Sequence, residues 1–343
     1  MRALIVGFGK MGMLHAATLN AHEAVEEIVI CEPSGFVADG VRSLHPRLKV
    51  YRDPAEALGK ERIDLAVIAT PNHTHFPIFK ELFPRGIHLF IEKPFVAGLD
   101  EARAAYGLCR RDASQKTKVM IGHCLRFAFT FARAKEYLEK KALGRILHFE
   151  ARMFSSDVES AESGWRFDKD HAGGGVLLDL GTHLVDLARF FFGMPRTLAG
   201  HTESWYSKNV EDYFQGVFHY PGFSGTMEGS WSVPNIRKPA AEFFITGENG
   251  TLAVTHDRLD LFLKKSASGE PAGFHAEDAV SLGKPVSFDL AGPFYALQLE
   301  HWLDSVQKNR PNANGVLDGL QNHELLELIR VSRGVEKKVE TLP

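Results

Sequence analysis

Cysteine is scarce in this chain, with only Cys31, Cys109 and Cys124 among 343 residues. Three scattered thiols are too few for a disulfide framework, and they lack the paired spacing of a cysteine-based zinc site. The histidines also show no metal-ligand spacing, so the sequence predicts no metal. We expect reduced thiols and a cytoplasmic protein.

Long apolar runs and an excess of one charge are absent as well. No stretch approaches the ~20 apolar residues of a membrane span, and the apolar run near the start is far shorter than the core of a signal peptide. The formal net charge is only −3, which gives no electrostatic reason to bind nucleic acid or an anionic membrane surface. We therefore expect neither as a partner.

Short apolar strands alternating with helical segments fill the first part of the chain. Strands are predicted at residues 2–6, 26–31, 64–70, 86–94 and 118–123. Alternation of this kind builds βαβ units and a parallel, doubly wound sheet. The predicted fold class is therefore α/β, beginning with a dinucleotide-binding Rossmann domain over residues 1–123.

The pattern changes after residue 123, where strands at hairpin spacing predominate. They predict a second domain, residues 124–343, built on a large, mostly antiparallel sheet. Helices are expected near residues 130–141, 173–192, 294–309 and 315–333, and an exposed loop at 265–285. The two final helices could pack back on the first domain.

A glycine-rich motif of the form GxGxxG follows the first strand and opens the first helix. It comprises Gly7, Phe8, Gly9, Lys10, Met11 and Gly12. In this context the three glycines allow the tight turn, the approach of a pyrophosphate and close helix–strand packing. Glu32 ends the second strand, where a carboxylate suits the ribose hydroxyls of NAD and repels the 2′-phosphate of NADP.

Three further motifs carry polar groups. A TPNHTH segment (residues 70–75) and Glu92-Lys93-Pro94 each end a strand, and a GGGVLLDLGTH segment (173–183) opens a helix. With these motifs and the Trp165-Arg166 pair, the sequence resembles the Gfo/Idh/MocA family, the glucose–fructose oxidoreductase and inositol dehydrogenase group. The resemblance covers nearly the whole chain.

The resemblance implies that Lys93, Asp179 and His183 form a catalytic trio that also binds substrate. It implies a cis peptide bond before Pro94 and a homodimer or homotetramer, which we expect to form on the outer face of the second domain's sheet. It further implies cofactor contacts from Thr70, Pro71, Asn72, His75, Glu92, Lys93, Trp165 and Arg166.

The chemistry of the three residue types agrees with this assignment. Histidine is suited to remove the proton of a hydroxyl group as hydride leaves the carbon. Asp179 lies four residues before His183, so on one helix the two share a face. An ammonium group such as that of Lys93 stabilises developing alkoxide charge. We expect all three to surround the nicotinamide C4 atom.

Three functions remain open at this point. The first is an NAD-dependent oxidoreductase acting on a secondary alcohol or ketone of a sugar, cyclitol or nucleotide-sugar, with NADP as the less favoured cofactor. The second is an NAD-retaining glycosidase, and the third is a non-catalytic NAD-sensing regulator. Outside the motifs, Arg126 fits a ligand or a salt bridge, Asp186 an ion pair, and Trp231, Tyr295 and Arg152 are pocket candidates without support.

Overall fold

The computed structural model describes residues 1–112, 116–158, 164–286 and 288–340. The chain divides into two compact units. The first comprises residues 1–123 and 285–320, and the second comprises residues 124–284 and 321–343. In the described part of the chain, no helix is both long and apolar enough to cross a membrane.

The first unit is built on a parallel sheet of six strands. Its strands are β1 (Arg2–Val6), β2 (Glu27–Cys31), β3 (Lys49–Tyr51), β4 (Leu65–Ile68), β5 (His88–Glu92) and β6 (Val119–Gly122). Its helices are α1 (Lys10–Asn20), α2 (Gly35–Leu44), α3 (Pro54–Lys60), α4 (Asn72–Leu82), α5 (Leu99–Arg111) and, later in the chain, α10 (Pro293–Gln307).

The strand order β3-β2-β1-β4-β5-β6 reverses direction between β1 and β4. In open parallel sheets, ligands bind beyond the carboxyl ends of the strands at such a switch point. The five strands predicted from the sequence are confirmed, and β3 was missed because it has only three residues and none is fully buried. Helix α4 begins at Asn72, so Asn72 and His75 both lie on it.

The second unit is built on a nine-stranded sheet. Its strands are β7 (Ile146–Phe154), β8 (Thr197–Glu203), β9 (Tyr213–Tyr220), β10 (Phe223–Ser230), β11 (Ala240–Gly247), β12 (Gly250–Val254), β13 (Arg258–Leu263), β14 (Gly273–Asp278) and β15 (Lys337–Lys338). Its helices are α6 (Phe129–Glu139), α7 (Lys169–Ala172), α8 (Thr182–Phe192) and α9 (Ala279–Leu282). Helix α11 (Val316–Ser332) begins in the first unit and ends in the second.

The order of the second sheet is β14-β13-β12-β11-β7-β10-β9-β8-β15. All neighbouring strands are antiparallel except β7 and β10, so the prediction of a mostly antiparallel sheet is confirmed. The predicted loop at 265–285 is wrong, because β14 and α9 form there. This strand was missed because its residues alternate only between half-buried and exposed.

Alternation along the strands gives the second sheet a buried face and an outer face. Phe243 and Ile245 on β11 are almost fully buried, whereas Phe244 between them is 45% exposed. Phe262 on β13 pairs with Phe274 on β14, and both are exposed. Since successive side chains of a strand point to opposite faces, the outer face carries large apolar side chains.

Candidate active site

The glycine-rich turn between β1 and α1 is shaped by close backbone packing. Gly7 has φ +88°, and a Cβ placed there would lie 2.7 Å from the carbonyl oxygen of Ala69 after β4. A Cβ on Gly12 would lie 1.9 Å from the carbonyl oxygen of Gly7. Both positions therefore exclude side chains, as the motif predicts.

Gly9 differs from its two partners because no described atom lies within 4 Å of where its Cβ would be. It is the N-cap of α1, and no described side chain caps that helix. The N-terminus of α1 thus has no side-chain cap and has space beside Gly9, and the positive end of a helix dipole favours an anion. These residues fit the pyrophosphate of a dinucleotide.

Glu32 lies at the end of β2 next to this turn. One oxygen of its carboxylate accepts the backbone N–H of Phe8 at 2.9 Å, and the other accepts that of Ser34 at 2.9 Å. The carboxylate is thus held in one orientation by two backbone groups. Each oxygen keeps a second lone pair that could accept a ribose hydroxyl.

His75 on α4 is buried, so it is not a surface residue. Its Nε2 lies 2.8 Å from the carbonyl oxygen of Thr70, and its Nδ1 lies 3.0 Å from that of Pro94. Burial lowers the pKa of His75, although these carbonyl contacts act in the opposite direction. The imidazole therefore connects the loop after β4 with the segment after β5 by contacts to backbone carbonyl oxygens of both.

Lys93 follows β5 directly and forms a cis peptide bond with Pro94, as the resemblance implied. From residue 89 to residue 96, Lys93 is the one residue that is not buried. The Glu92 carboxylate accepts the backbone N–H of Lys93 at 3.1 Å and pairs with His15 at 2.6 Å. The structure thus turns Glu92 toward His15, a residue that the sequence did not single out.

Asp179 and His183 emerge from a buried helical segment. Every residue from 175 to 188 is buried except these two. The segment begins with a π-helical turn at Leu177–Gly181, which continues directly into α8. The predicted single α-helix from residue 173 is therefore wrong in its first part. Such π turns often occur at functional sites because they shift side chains relative to a regular helix.

Glu211 explains the last of the three glycines before this turn, Gly175. Its side chain accepts the N–H of Gly175 at 2.7 Å, and its carbonyl oxygen accepts the N–H of Val176 at 2.9 Å. A Cβ on Gly175 would lie 2.1 Å from that carbonyl oxygen. Burial raises the pKa of Glu211 despite these contacts. Glu211 therefore caps the helical segment that carries Asp179.

Arg166 contacts Asp179 directly, with 2.5 Å between Nη2 and Oδ2. The guanidinium of Arg166 also lies over the ring of Trp231, 5.6 Å from its centroid. Trp231 is buried, and its Nε1 donates to Asp212 at 2.9 Å. Arg166 is therefore held between a carboxylate and an aromatic face, whereas neighbouring Trp165 is exposed.

Three of the candidates outside the motifs form ion pairs. Arg126 and Asp186 form a buried, two-point ion pair, with both N–O distances 2.7 Å, and Asn322 also donates to Asp186 at 3.0 Å. Arg152 pairs with Glu242 and is exposed. Among the described residues, no group of three or more histidine, cysteine or acidic side chains is placed to hold a metal ion.

His15, Glu211 and Asp212 are the residues that sequence reasoning missed. His15 alone had a usable signal, because it lies three residues after Gly12 and thus on the helix face that packs against the sheet. Glu211 and Asp212 precede a strand and are distant in sequence from the residues they hold. No local pattern distinguishes them.

Comparison with known proteins agrees with this architecture. Residues 1–123 match the oxidoreductase family with an NAD-binding Rossmann fold, and residues 131–253 match the Gfo/Idh/MocA C-terminal domain. Both matches are to one family, and together they span well over half of the chain. The chain therefore belongs to the Gfo/Idh/MocA oxidoreductases, and its first unit carries the NAD-binding Rossmann fold of that family.

Individual relatives show the range of the family. An uncharacterised oxidoreductase of Schizosaccharomyces pombe is 29% identical over 226 residues, which cover 64% of this chain and 60% of that protein. The chain thus spans about three fifths of that relative's length. The scyllo-inositol 2-dehydrogenase (NAD⁺) of Bacillus subtilis is 24% identical over 94% of this chain and 91% of its own.

Solved structures share this fold. Levoglucosan dehydrogenase in complex with NADH and levoglucosan superimposes with a TM-score of 0.88 at 22% identity. The alignment covers 99% of this chain and 100% of that one. At this identity the likeness concerns the fold.

Proposed function

We propose that the protein is an NAD-dependent dehydrogenase that oxidises a secondary alcohol of a sugar or cyclitol, or reduces the corresponding ketone. One observation carries the proposal: Lys93, Asp179 and His183 are accessible polar side chains that emerge from otherwise buried segments. A few polar side chains that emerge from apolar surroundings are typical of a ligand-binding site. The relatives that act on scyllo-inositol and levoglucosan suggest the substrate class.

The cofactor would be held by the glycine-rich turn, with Glu32 on the ribose. NAD supplies the acceptor for the hydride that leaves the substrate carbon. Because Glu32 is fixed by two backbone N–H groups, it cannot easily turn away from a 2′-phosphate, which favours NAD over NADP.

The catalytic roles follow from the residue types. His183 takes the proton of the substrate hydroxyl as general base. The ammonium of Lys93 stabilises the negative charge that develops on that oxygen. Asp179, itself held by Arg166, orients His183 or accepts a neighbouring substrate hydroxyl. That Lys93 and His183 act on the same hydroxyl is part of the proposal.

The function is tested with the purified protein, NAD and a panel of cyclitols, sugars, anhydrosugars and nucleotide-sugars. NADH formation, followed by its absorbance, supports a dehydrogenase. Release of p-nitrophenol from glycosides without net NADH would replace it with an NAD-retaining glycosidase. NAD binding with neither reaction would leave a sensor.

The role of Lys93 is tested by Lys93→Ala. We expect unchanged NAD affinity and a fall in turnover of more than ~100-fold, which is the usual effect of losing a positioned electrostatic group. Lys80→Ala on α4, which removes a lysine that lies over the ring of Phe76, is the matched control. Turnover near that of the wild type would remove Lys93 from the mechanism.

We also propose that the protein is a homo-oligomer that assembles through the outer face of the second sheet. The exposed Phe244, Phe262 and Phe274 support this proposal, because soluble monomers rarely expose contiguous large apolar side chains on one face. A second copy of the chain is the partner we expect.

A further inference from the structure

A buried hydrogen bond between two side chains links α1 to the end of β5. His15 on α1 has no exposed surface, and its Nε2 lies 2.6 Å from Oε1 of Glu92. The imidazole packs edge-on against Phe90, with 5.1 Å between ring centroids. On the neighbouring strand β6, a Cβ on Gly122 would lie only 3.3 Å from Oε1. The carboxylate is thus enclosed on several sides.

The second oxygen of Glu92 faces Lys93. It accepts the backbone N–H of Lys93 at 3.1 Å. One carboxylate therefore connects the helix that begins at the glycine-rich turn with the backbone of the proposed catalytic lysine. Removing one member of a buried pair leaves the other member without its partner in a site that excludes water, which is costly. The pair therefore constrains both the position and the charge of Glu92.

The charge of Glu92 depends on its neighbours. Burial alone would raise the pKa of Glu92, but the hydrogen bond and charge of His15, together with the charge of Lys93, bring it below its usual value. His75 on α4 is the other titratable group that senses Glu92, and burial lowers the pKa of its ring. The carboxylate is therefore ionised at neutral pH and serves as a counter-charge to Lys93.

We propose that His15 is a positioning residue, which keeps Glu92 ionised and oriented so that Glu92 fixes both the backbone and the charge state of Lys93. This assignment rests on the proposed function in taking Lys93 as the reacting lysine. His15 contacts neither substrate nor cofactor in this role. It acts on the chemistry through one carboxylate.

The test measures the titration of Lys93 in the NAD-free protein. The lysines are labelled competitively with acetic anhydride across a pH series, and the extent of modification of the Lys93 peptide is read by mass spectrometry. Glu92→Gln removes the counter-charge, and His15→Phe removes the partner that keeps Glu92 ionised. We expect each variant to raise the labelling of Lys93 near neutral pH about tenfold, because an ammonium group that loses a nearby negative charge releases its proton more easily.

Three further variants complete the design. The double variant should titrate like either single one, because both changes act on one interaction. His15→Gln retains an N–H donor and should lie closer to the wild type. Thr18→Val is the control, since Thr18 is buried on the same helix but donates to Leu14 within it, and it should leave the titration unchanged.

The proposal is overturned if His15→Phe titrates like the wild type, or if its shift adds to that of Glu92→Gln. Should His15→Phe fail to fold by circular dichroism, His15→Asn replaces it under the same two criteria, because its shorter amide cannot span the distance to Glu92. The titration needs no turnover. A protein that shows the expected shifts but oxidises no alcohol would disprove the dehydrogenase and leave the positioning role intact.

Discussion

At the scale of single residues, several polar side chains of the candidate site are held by contacts with neighbouring groups. Glu32 is fixed by two backbone N–H groups, and Arg166 by a carboxylate and an aromatic ring. Side chains that are already ordered lose little entropy when a ligand binds. Changing a supporting residue should therefore affect binding or turnover without touching the ligand.

Glu32→Ala should weaken NAD binding by about tenfold or more and NADP binding by less. The loss of a hydrogen-bonded charge costs about 1.4 kcal/mol or more, whereas the 2′-phosphate of NADP is relieved of a repulsive carboxylate. Binding is measured by calorimetry with both cofactors. Glu26→Ala, an exposed change at the opposite end of the same strand, is the control, and equal losses for both cofactors would reject a ribose contact.

Trp231→Leu should lower kcat/KM by about tenfold, because Arg166 loses a cation–π contact of about 1 kcal/mol and no longer holds Asp179 in place. Trp231→Phe keeps an aromatic face for Arg166 but loses the N–H that donates to Asp212. Trp231→Phe should be less stable than the wild type, but its kcat/KM should be closer to the wild-type value than that of Trp231→Leu. If both variants lose kcat/KM equally, the ring face is irrelevant to Asp179.

At the scale of elements, the glycines of the turn between β1 and α1 have two different roles, one in packing and one in ligand binding. Gly12 is required because a backbone oxygen occupies the place of its Cβ, whereas the corresponding space at Gly9 is open. The same motif therefore contains one glycine that the fold needs and one that we assign to the ligand.

Gly12→Ala should destabilise the protein by about 2 kcal/mol, the cost of forcing an extra methyl group against fixed backbone. Gly9→Ala should stay within about 1 kcal/mol, which is the penalty for alanine at an N-cap, yet it should weaken NAD binding at least tenfold by filling the space that the phosphate would occupy. Chemical denaturation and calorimetry measure the two effects. A Gly9→Ala protein that binds NAD normally would place the phosphate elsewhere.

The sequence predicts elements well where a local pattern decides them. The strands of the first sheet are apolar runs, which can be recognised without knowing any tertiary contact. The glycine motif that begins at Gly7 likewise predicts its own turn. The π turn at Asp179 has no local sequence signal, and the residue that caps the segment before it, Glu211, lies 36 residues from Gly175. The hydrogen bond between His15 and Glu92 spans 77 positions, so no local pattern predicts it either.

At the scale of the whole molecule, the outer face of the second sheet is the feature that its own chain leaves unexplained. Phe262 and Phe274 lie opposite each other on the neighbouring strands β13 and β14, Phe244 lies on the same face two strands away on β11, and exposed ion pairs such as Arg152 with Glu242 lie on this sheet as well. Apolar side chains with a polar rim are typical of interfaces between subunits. A two-fold interface uses the same patch on both subunits. One substitution therefore introduces two charges into the interface, one from each subunit.

Phe262→Glu should therefore convert the proposed oligomer to a smaller species, since two buried carboxylates would face each other without partners. Molar mass is measured by sedimentation velocity over a range of concentrations. Phe36→Glu provides the matched control, because Phe36 on α2 is 91% exposed and lies in the first unit, so the same substitution there should leave the mass unchanged. If Phe262→Glu sediments like the wild type, or if the wild type is already monomeric at micromolar concentration, this face does not join subunits, and its apolar side chains need a different partner.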